Sequence, residues 1–470
     1  MIFDLNNLKD LEKNYDVVIV GSGPAGISCA LKFLNRNLRV AILEGGGEFY
    51  SRESMNILNG KVVGDKYFDL RAARQRFFGG ASNHWGGWCR PLDEHDFIKK
   101  SHHDLAYWPI EKSDIDSYLV EASEILEIPN VYEDEVLDEN FGIKKISFNF
   151  STPVRFGQKY KSIFLAENLD LFLNANLVDL SRSMSEIKSA TFKSFKGSIL
   201  KIRSKSFVLA AGGIENSRLM LAINKKNSNK IFNESMPIGK FWMEHPRVFV
   251  GESIIPTGWA NKYLSLTPEI QNKLGILNCQ IRFEGQLSDG SLKNRIKDLA
   301  CYAPETAKHL WELMEKKLVC GIKTDAIWEQ EPNINNKITL STSDVDTFGM
   351  PRPILNFKKT DFDKSTVLKT IQQVARYGNH NGYGRIKIFD YISNLGNFPA
   401  NAEYHHMGGT RMATNNQLGV VDQDLKVHGL NNFFILGSSV FPSGGFANPT
   451  LTIVQLSLRL ADHLNFIHKT

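Results

Sequence analysis

Apolar positions along this 470-residue chain follow two patterns. Toward both ends they form short unbroken runs: VVIV at 17–20, VAIL at 40–43, FVLAA at 207–211 and FFIL at 433–436. Unbroken runs with β-branched residues suit strands covered on both faces, as in a parallel sheet. ISCALKFL at 27–34 spaces its apolar residues for a helix, and so does the long stretch behind Pro449, a residue well placed to open a helix. From about residue 246 the pattern changes. PRVFVGESII, GILNCQIRFEG, LVCGIKTDAIWEQ, NNKITLST and PILNFKK read as alternating half-buried strands, while KHLWELMEKK and TDFDKSTVLKTIQQVARYG carry helical spacing. The expected architecture is an α/β body formed by 1–245 and 395–470, interrupted by an α+β lobe at 246–394 built on an antiparallel sheet. LGNFPANA marks the return to the body, and acidic EDEVLDEN within 111–154 is expected to belong to a lid or an oligomer contact.

The first unit, YDVVIVGSGPAGISCALKFLNRNLRVAILEGGG at 15–47, reads as strand, glycine turn, helix and strand. Gly21, Gly23 and Gly26 make GxGxxG. The first glycine permits the tight turn, the second lets backbone approach a pyrophosphate, and the third lets the helix pack closely on the sheet. Glu44 follows 18 residues after Gly26, at the end of the second strand, where a carboxylate accepts ribose hydroxyls. A dinucleotide held by its adenosine half is expected, and this unit alone leaves NAD and FAD open. Three later stretches bear on the choice. FFGGASNHWGGWCR at 77–90 mixes glycines and aromatics suited to packing on a flat ring, with a structural loop around a buried histidine as the plainer reading. KSFVLAAGGIENSRL at 205–219 ends a strand in a second glycine turn at Ala211. In 427–464, Gly437 to Asn448 form a loop, Pro449 opens the helix without needing an amide partner, and the free amides around Thr450 to Thr452 face whatever carbonyl or anion lies ahead of the helix.

Composition narrows the function classes. Apolar residues make up 42% and charged residues 23%, an ordinary globular balance, and a net charge of +5 with interspersed signs argues against nucleic acid. No window reaches the run of apolar residues that spans a bilayer, and MIFDLNNLKDLEKNYD lacks the basic start and apolar core of an export signal. The expected location is cytoplasmic, or periplasmic if the chain is co-exported with a signal-bearing partner. Five scattered cysteines form no CxxC pattern, and no ligand spacing for a metal accompanies HHMGGTRM at 405–412 or SHHD at 101–104. GSSV at 437–440 lacks the GxSxG nucleophile elbow of a serine hydrolase.

GxGxxG, the GGxSxHWGG pattern at 79–87, YWPI at 107–110, FVLAAGGIENSRL with GKFWMEHP at 239–246, and the block 403–464 occur in order. On these motifs, which cover about half the chain, the sequence resembles the glucose-methanol-choline (GMC) oxidoreductase family of FAD-dependent alcohol oxidisers. It is most similar to the branch of pyranose oxidase and the flavoprotein subunits of bacterial sugar and polyol dehydrogenases, because Asn448 stands where other branches carry a second histidine. The resemblance implies a discontinuous Rossmann-like FAD-binding domain and a substrate domain roofing the flavin. It implies FAD contacts at Gly21, Gly23, Gly26, Glu44, Gly80, Ser82, Asn83, His84, Val178, Ala211, Gly437, Asn448, Pro449 and Thr450. His84 is the corresponding attachment point in relatives with covalent FAD, and Gly86 and Gly87 depart from the residues that follow HW there. Counting three back from Gly408 and seven from Met412 makes His405 the base, His406 its neighbour, and Asn448 a partner for the same substrate hydroxyl. The implied reaction is oxidation of an alcohol, a secondary ring hydroxyl of a sugar or glycoside, by a dehydrogenase rather than an oxidase. A lyase on the same fold and a catalytic subunit of a multi-subunit complex are the alternatives. The electron acceptor (O2, a quinone or a protein carrier) and homo-oligomer formation stay open.

Overall fold

A computed structural model describes residues 1–254, 262–284, 322–399 and 402–469. The unbroken apolar runs come together in one eight-stranded sheet. Its order is Ile2–Asp4, Leu169–Leu173, Val40–Leu43, Leu11–Val20, Ile199–Leu209, Glu186–Lys193 and Asn176–Ser183, with Phe433–Ile435 paired alongside Phe207–Leu209. The pairings from Ile2 through Ile199, and that of Phe433–Ile435, are parallel; the last two hairpin strands are antiparallel. Val17–Val20 and Val40–Leu43 are buried throughout, as strands covered on both faces should be. Helix Pro24–Leu31 covers one face and packs against helix Pro449–Ile467, whose buried Leu451, Val454, Leu458, Ala461 and Leu464 seat it in the same core.

A second sheet has seven strands, in the order Arg385–Ile388, Arg247–Ile254, Ile322–Trp328, Cys279–Glu284, Tyr263–Leu266, Ile143–Ile146 and Glu135–Asp138, all antiparallel. Helix Asp361–His380 lies on it through Val367, Ile371, Val374 and Tyr377. That helix opens with a capping box in which Thr360 and Asp363 satisfy each other's backbone amides, legible in the sequence as TDFD.

Two expectations are corrected. Residues 135–146, read with the FAD-binding body as a lid or contact segment, supply two edge strands of the antiparallel sheet. NNKITLST and PILNFKK do form strands, Lys337–Val345 and Pro351–Phe357, but they join Lys61–Gly64 in a separate three-stranded sheet. Their buried Ile338, Leu355 and Phe357 pack with Leu70, Ile214 and Trp242 of the body. Alternation marks a strand with one covered face; it does not name what covers it. KHLWELMEKK lies outside the described residues. Among the described residues no helix is long and apolar enough to cross a membrane.

Candidate active site

The parallel strands end at Val20, Leu43, Leu209 and Ile435, and a cavity of about 670 Å³ opens beyond these carboxyl ends, where open α/β sheets bind ligands. The three glycines of the first turn divide the work as their spacing predicts. Gly21 has φ +112°, and a Cβ there would stand 2.4 Å from the Ala210 carbonyl oxygen of the neighbouring strand end. A Cβ on Gly26 would stand 2.0 Å from the carbonyl oxygen of Gly21, so this residue packs helix against turn and sits behind the cavity wall. A Cβ on Gly23 would meet no protein atom within 4 Å, so at Gly23 the backbone lies open to the cavity. Glu44 is buried at the same end, accepting from Ser22 Oγ at 2.6 Å and from the Gly46 amide at 2.8 Å, and it lines the cavity.

The other predicted cofactor residues come from three further loops. Gly80, Ser82 and His84 line the cavity; a Cβ on Gly80 would touch Gly23 Cα at 3.0 Å, which is how this loop closes over the glycine turn. Ser82 and Asn83 hold the loop's shape: Ser82 Oγ donates to the Gly79 carbonyl and accepts the Phe156 amide, and Asn83 Nδ2 donates to the carbonyls of Phe78 and Gly80. Asn83 therefore works from behind the wall. His84 Nδ1 lies 2.7 Å from Gln75 Nε2, and burial, with Arg155 nearby, holds its pKa below the usual histidine value. Ala211 and Gly437 line the cavity, and Gly212 and Gly437 leave open space where a side chain would stand. Ala175, Asn176 and Leu177 line the cavity and Val178 does not; a bulge between Leu177 and Asp179 shifts the register of that strand. Finally Asn448, Pro449 and Thr450 present the N-terminus of a 19-residue helix; the Asn448 side chain makes no capping bond and is turned into the site.

The chemistry of this lining suits FAD. Two helix N-termini, at Pro24 and Pro449, present amides with no side-chain cap, side-chain-free floors lie at Gly23, Gly212 and Gly437, and the buried Glu44 carboxylate stands beside the first glycine turn, where it could accept ribose hydroxyls.

At the far end two chain segments run side by side. Met243 and Met407 exchange backbone hydrogen bonds at 2.8 and 2.9 Å, and the Glu403 amide donates to the His245 carbonyl. This pairing sets Glu244 and His245 opposite His405. The Glu244 carboxyl group accepts the amides of His405 and His245 and pairs with the hydroxyl of Tyr67, and burial pushes its pKa up to about 8. His405 Nε2 lies 3.1 Å from Asn448 Nδ2, and its Nδ1 lies 2.9 Å from His245 Nδ1. Burial, then the neighbouring His245 and His406, hold the pKa of His405 well below the usual histidine range, so it rests as a neutral imidazole. His406 turns the other way. Its ring lies 5.8 Å from Trp242 and 6.3 Å from Tyr67, its Nε2 has no hydrogen-bond partner, and burial lowers its pKa to about 3.

The site thus brings His405 and Asn448 into direct contact. Sequence reasoning assigned no role to Glu244 and His245, although GKFWMEHP contained the signal: an acid and a histidine inside an apolar run have to be paired when buried.

Residues 332–457 match the GMC oxidoreductase family and residues 16–83 match an FAD-binding domain family. The large subunit of fructose dehydrogenase from Gluconobacter japonicus is 27% identical over 271 residues, which span 56% of this chain and 47% of the relative. A C-glycoside 3-oxidase from Microbacterium trichothecenolyticum is 30% identical over 131 residues, 28% of this chain and 24% of the relative. At lower identity, 21%, the 2-methyl-1,2-propanediol dehydrogenase of Mycolicibacterium austroafricanum matches over 96% of this chain and 95% of its own length. The first two matches therefore span less than half of those relatives. Among solved structures, pyridoxine 4-oxidase from Mesorbium loti superposes with a TM-score of 0.60 at 13% identity, covering 96% of this chain and 99% of that one. A formate oxidase variant from Aspergillus oryzae does so at 0.57 and 16% identity, covering 97% and 99%. At these identities the structural likeness establishes a shared fold.

Proposed function

From the matches of residues 332–457 to the GMC oxidoreductase family and of residues 16–83 to an FAD-binding domain family, we propose that this chain is an FAD-dependent dehydrogenase that oxidises a secondary hydroxyl of a sugar or glycoside to a ketone, with His405 as the base. The observation that carries the reading is the contact of His405 Nε2 with Asn448 Nδ2 at 3.1 Å, at the cavity end beyond the strand termini. FAD, when bound, supplies the acceptor for the hydride that leaves the carbinol carbon. The hydroxyl proton needs a separate acceptor. A buried neutral imidazole offers its Nε2 lone pair, and the amide of Asn448, 3.1 Å from that nitrogen, can donate to the substrate oxygen instead and fix its position. Glycine floors bring the cofactor close, and Trp85 and Trp88 in the lining offer flat apolar surfaces to the faces of a sugar ring. The sugar substrate is supported by the fructose and C-glycoside enzymes among the relatives, and the large-subunit relative supports a partner subunit as the route by which electrons leave.

The test is an anaerobic panel of sugars and glycosides read by loss of flavin absorbance. A substrate should bleach the flavin, and a lyase would turn over with the flavin still oxidised. His405→Ala should keep its FAD, which is held mainly by the 21–44 unit, and be reduced about 100- to 10,000-fold more slowly. His406→Ala should lose much less rate, and Asn448→Ala should fall between the two. Reduction of His405→Ala at the normal rate would remove His405 from the mechanism.

A further inference from the structure

Resting on the reading of His405 as the base, we infer that His245 is a positioning residue that fixes the tautomer of His405 and shares the proton it takes up. The base must offer an unprotonated Nε2 to the hydroxyl. In the site as it stands Asn448 Nδ2 is the donor to that nitrogen at 3.1 Å, so the proton of neutral His405 resides on Nδ1. The hydrogen-bond partner of that Nδ1 is His245 Nδ1, 2.9 Å away. Two protonated nitrogens cannot share this distance, and two lone pairs would repel, so His245 Nδ1 accepts. Its own proton then sits on Nε2.

The surroundings agree with that assignment. Nε2 of His245 makes no well-formed hydrogen bond, but the backbone of Gly444 and Gly445 lies against it and stabilises a proton there. A Cβ on Gly444 would come within 3.2 Å of this nitrogen, so glycine is what lets the chain approach. His245 is fully buried, and burial lowers its pKa to about 4, which keeps it a neutral acceptor at working pH. The two rings stand nearly perpendicular, at 89°, and Glu244 anchors the backbone amides of both residues. One carboxyl group thus sets both ends of the ring pair.

In turnover the substrate O–H bond would break with its proton forming a bond to His405 Nε2, and FAD, when bound, would supply the acceptor for the hydride from the same carbinol carbon. His405 becomes an imidazolium. Its Nδ1–H points at the lone pair of His245, so the positive charge is spread over two buried rings instead of remaining on one. Without His245, Nδ1–H has no acceptor and the proton is free to move to Nε2, the wrong end for a base. Loss of the residue that sets a catalytic histidine's tautomer has costs of this kind in other enzymes.

The experiment compares His245→Leu, His245→Asn and His405→Ala in FAD-loaded protein. Asn places an amide oxygen near the position of Nδ1 and can accept; Leu fills the volume without accepting. His245→Leu should bind FAD and substrate as the parent does, yet slow anaerobic flavin reduction about 10- to 100-fold, in the range lost when a functional group loses its orienting partner. His245→Asn should recover to within about 5-fold of the parent on the same grounds. Nitrogen-15 shifts of labelled histidine should place the His405 proton on Nδ1 in the parent and His245→Asn, and on Nε2 in His245→Leu. Normal reduction in His245→Leu beside slow reduction in His405→Ala would overturn the role of His245 and leave the base in place. Equal loss in the Leu and Asn variants with an unchanged His405 tautomer would also overturn it. Normal reduction in His405→Ala would overturn the underlying reading of the base instead.

Discussion

Gly21 and Gly23 lie two residues apart and meet opposite constraints, which makes them a controlled pair. A methyl group on Gly21 would press on the Ala210 carbonyl oxygen at 2.4 Å, and φ of +112° is a region that side chains rarely adopt. On Gly23 the same methyl would meet no protein atom, only the space reserved for the cofactor. Gly21→Ala should therefore lower stability as well as flavin content. Gly23→Ala should fold with the parent's melting temperature when both are stripped of flavin, and lose FAD affinity on reconstitution. Flavin-to-protein absorbance and melting curves of the apoproteins separate the two outcomes; equal melting losses would show that Gly23 too is packed against the chain. The same sensitivity to one position distinguishes His405 from His406. Adjacent side chains on an extended segment face opposite ways, so one ring reaches Asn448 and the other packs by Trp242.

Among the elements, helix Glu215–Lys226 joins the nucleotide body to the small sheet of Lys337–Val345 and Pro351–Phe357. The join is ionic. Arg218, fully enclosed, donates to Glu215 Oε1 at 2.6 Å, to Asp346 and to the Pro351 carbonyl, and Glu215, Arg218 and Asp346 all line the cavity. Removing one member of such a group leaves a buried charge short of its counter-ion, which costs about 3–5 kcal/mol. Asp346→Ala should lose stability of this order in denaturant titrations. Asp346→Asn, whose single amide oxygen can keep the Phe348 and Met350 amides that Oδ1 accepts but not the Arg218 bond made to Oδ2, should lose somewhat less. If both variants unfold with the parent, the charges of this join are solvated in solution and hold nothing together.

For the whole molecule the buried titratable groups set a stability profile. Burial raises the carboxyls of Asp96 and Asp363 from 3.8 to about 7 and that of Glu244 from 4.5 to about 8. A raised folded pKa means that the folded state holds the proton more tightly than the unfolded chain, so its stabilisation declines as pH rises toward the folded value. The buried histidines act in the opposite sense. His95 and His245 are lowered from 6.5 to about 4 and His406 to about 3, so their stabilisation is present above 6.5 and is lost as pH falls below it. The two sets oppose each other below 6.5, and between 6.5 and 8 the acids act alone. The melting temperature should therefore fall from pH 6.5 to 8, and Glu244→Gln should shrink that fall. A melting temperature that rises across this window would contradict the protonated state of these acids.

The nucleotide half of this protein was legible in its sequence because it is local. GxGxxG, the helix after it and Glu44 fall within one strand–helix–strand unit, and their geometry is set by neighbours along the chain. The helix opened by Pro449 and the capping box at Thr360 were readable for the same reason. Partners were not. Alternation placed strands at 337–357 and could not say that they cover Trp242 and Leu70 instead of joining the antiparallel sheet, nor that 135–146 would supply that sheet's edge. Strand pairing is settled by which surfaces meet, a sum over distant contacts with no footprint in local spacing. The reactive end shows the same division. Local sequence places a histidine before the paired glycine and an asparagine before Pro449, whereas the pairing of 243–246 with 403–407 decides what surrounds them. Only the tertiary structure gave His405 a histidine on one nitrogen and an asparagine on the other, because those groups come from positions 160 and 43 residues away and are brought together by the burial of both segments.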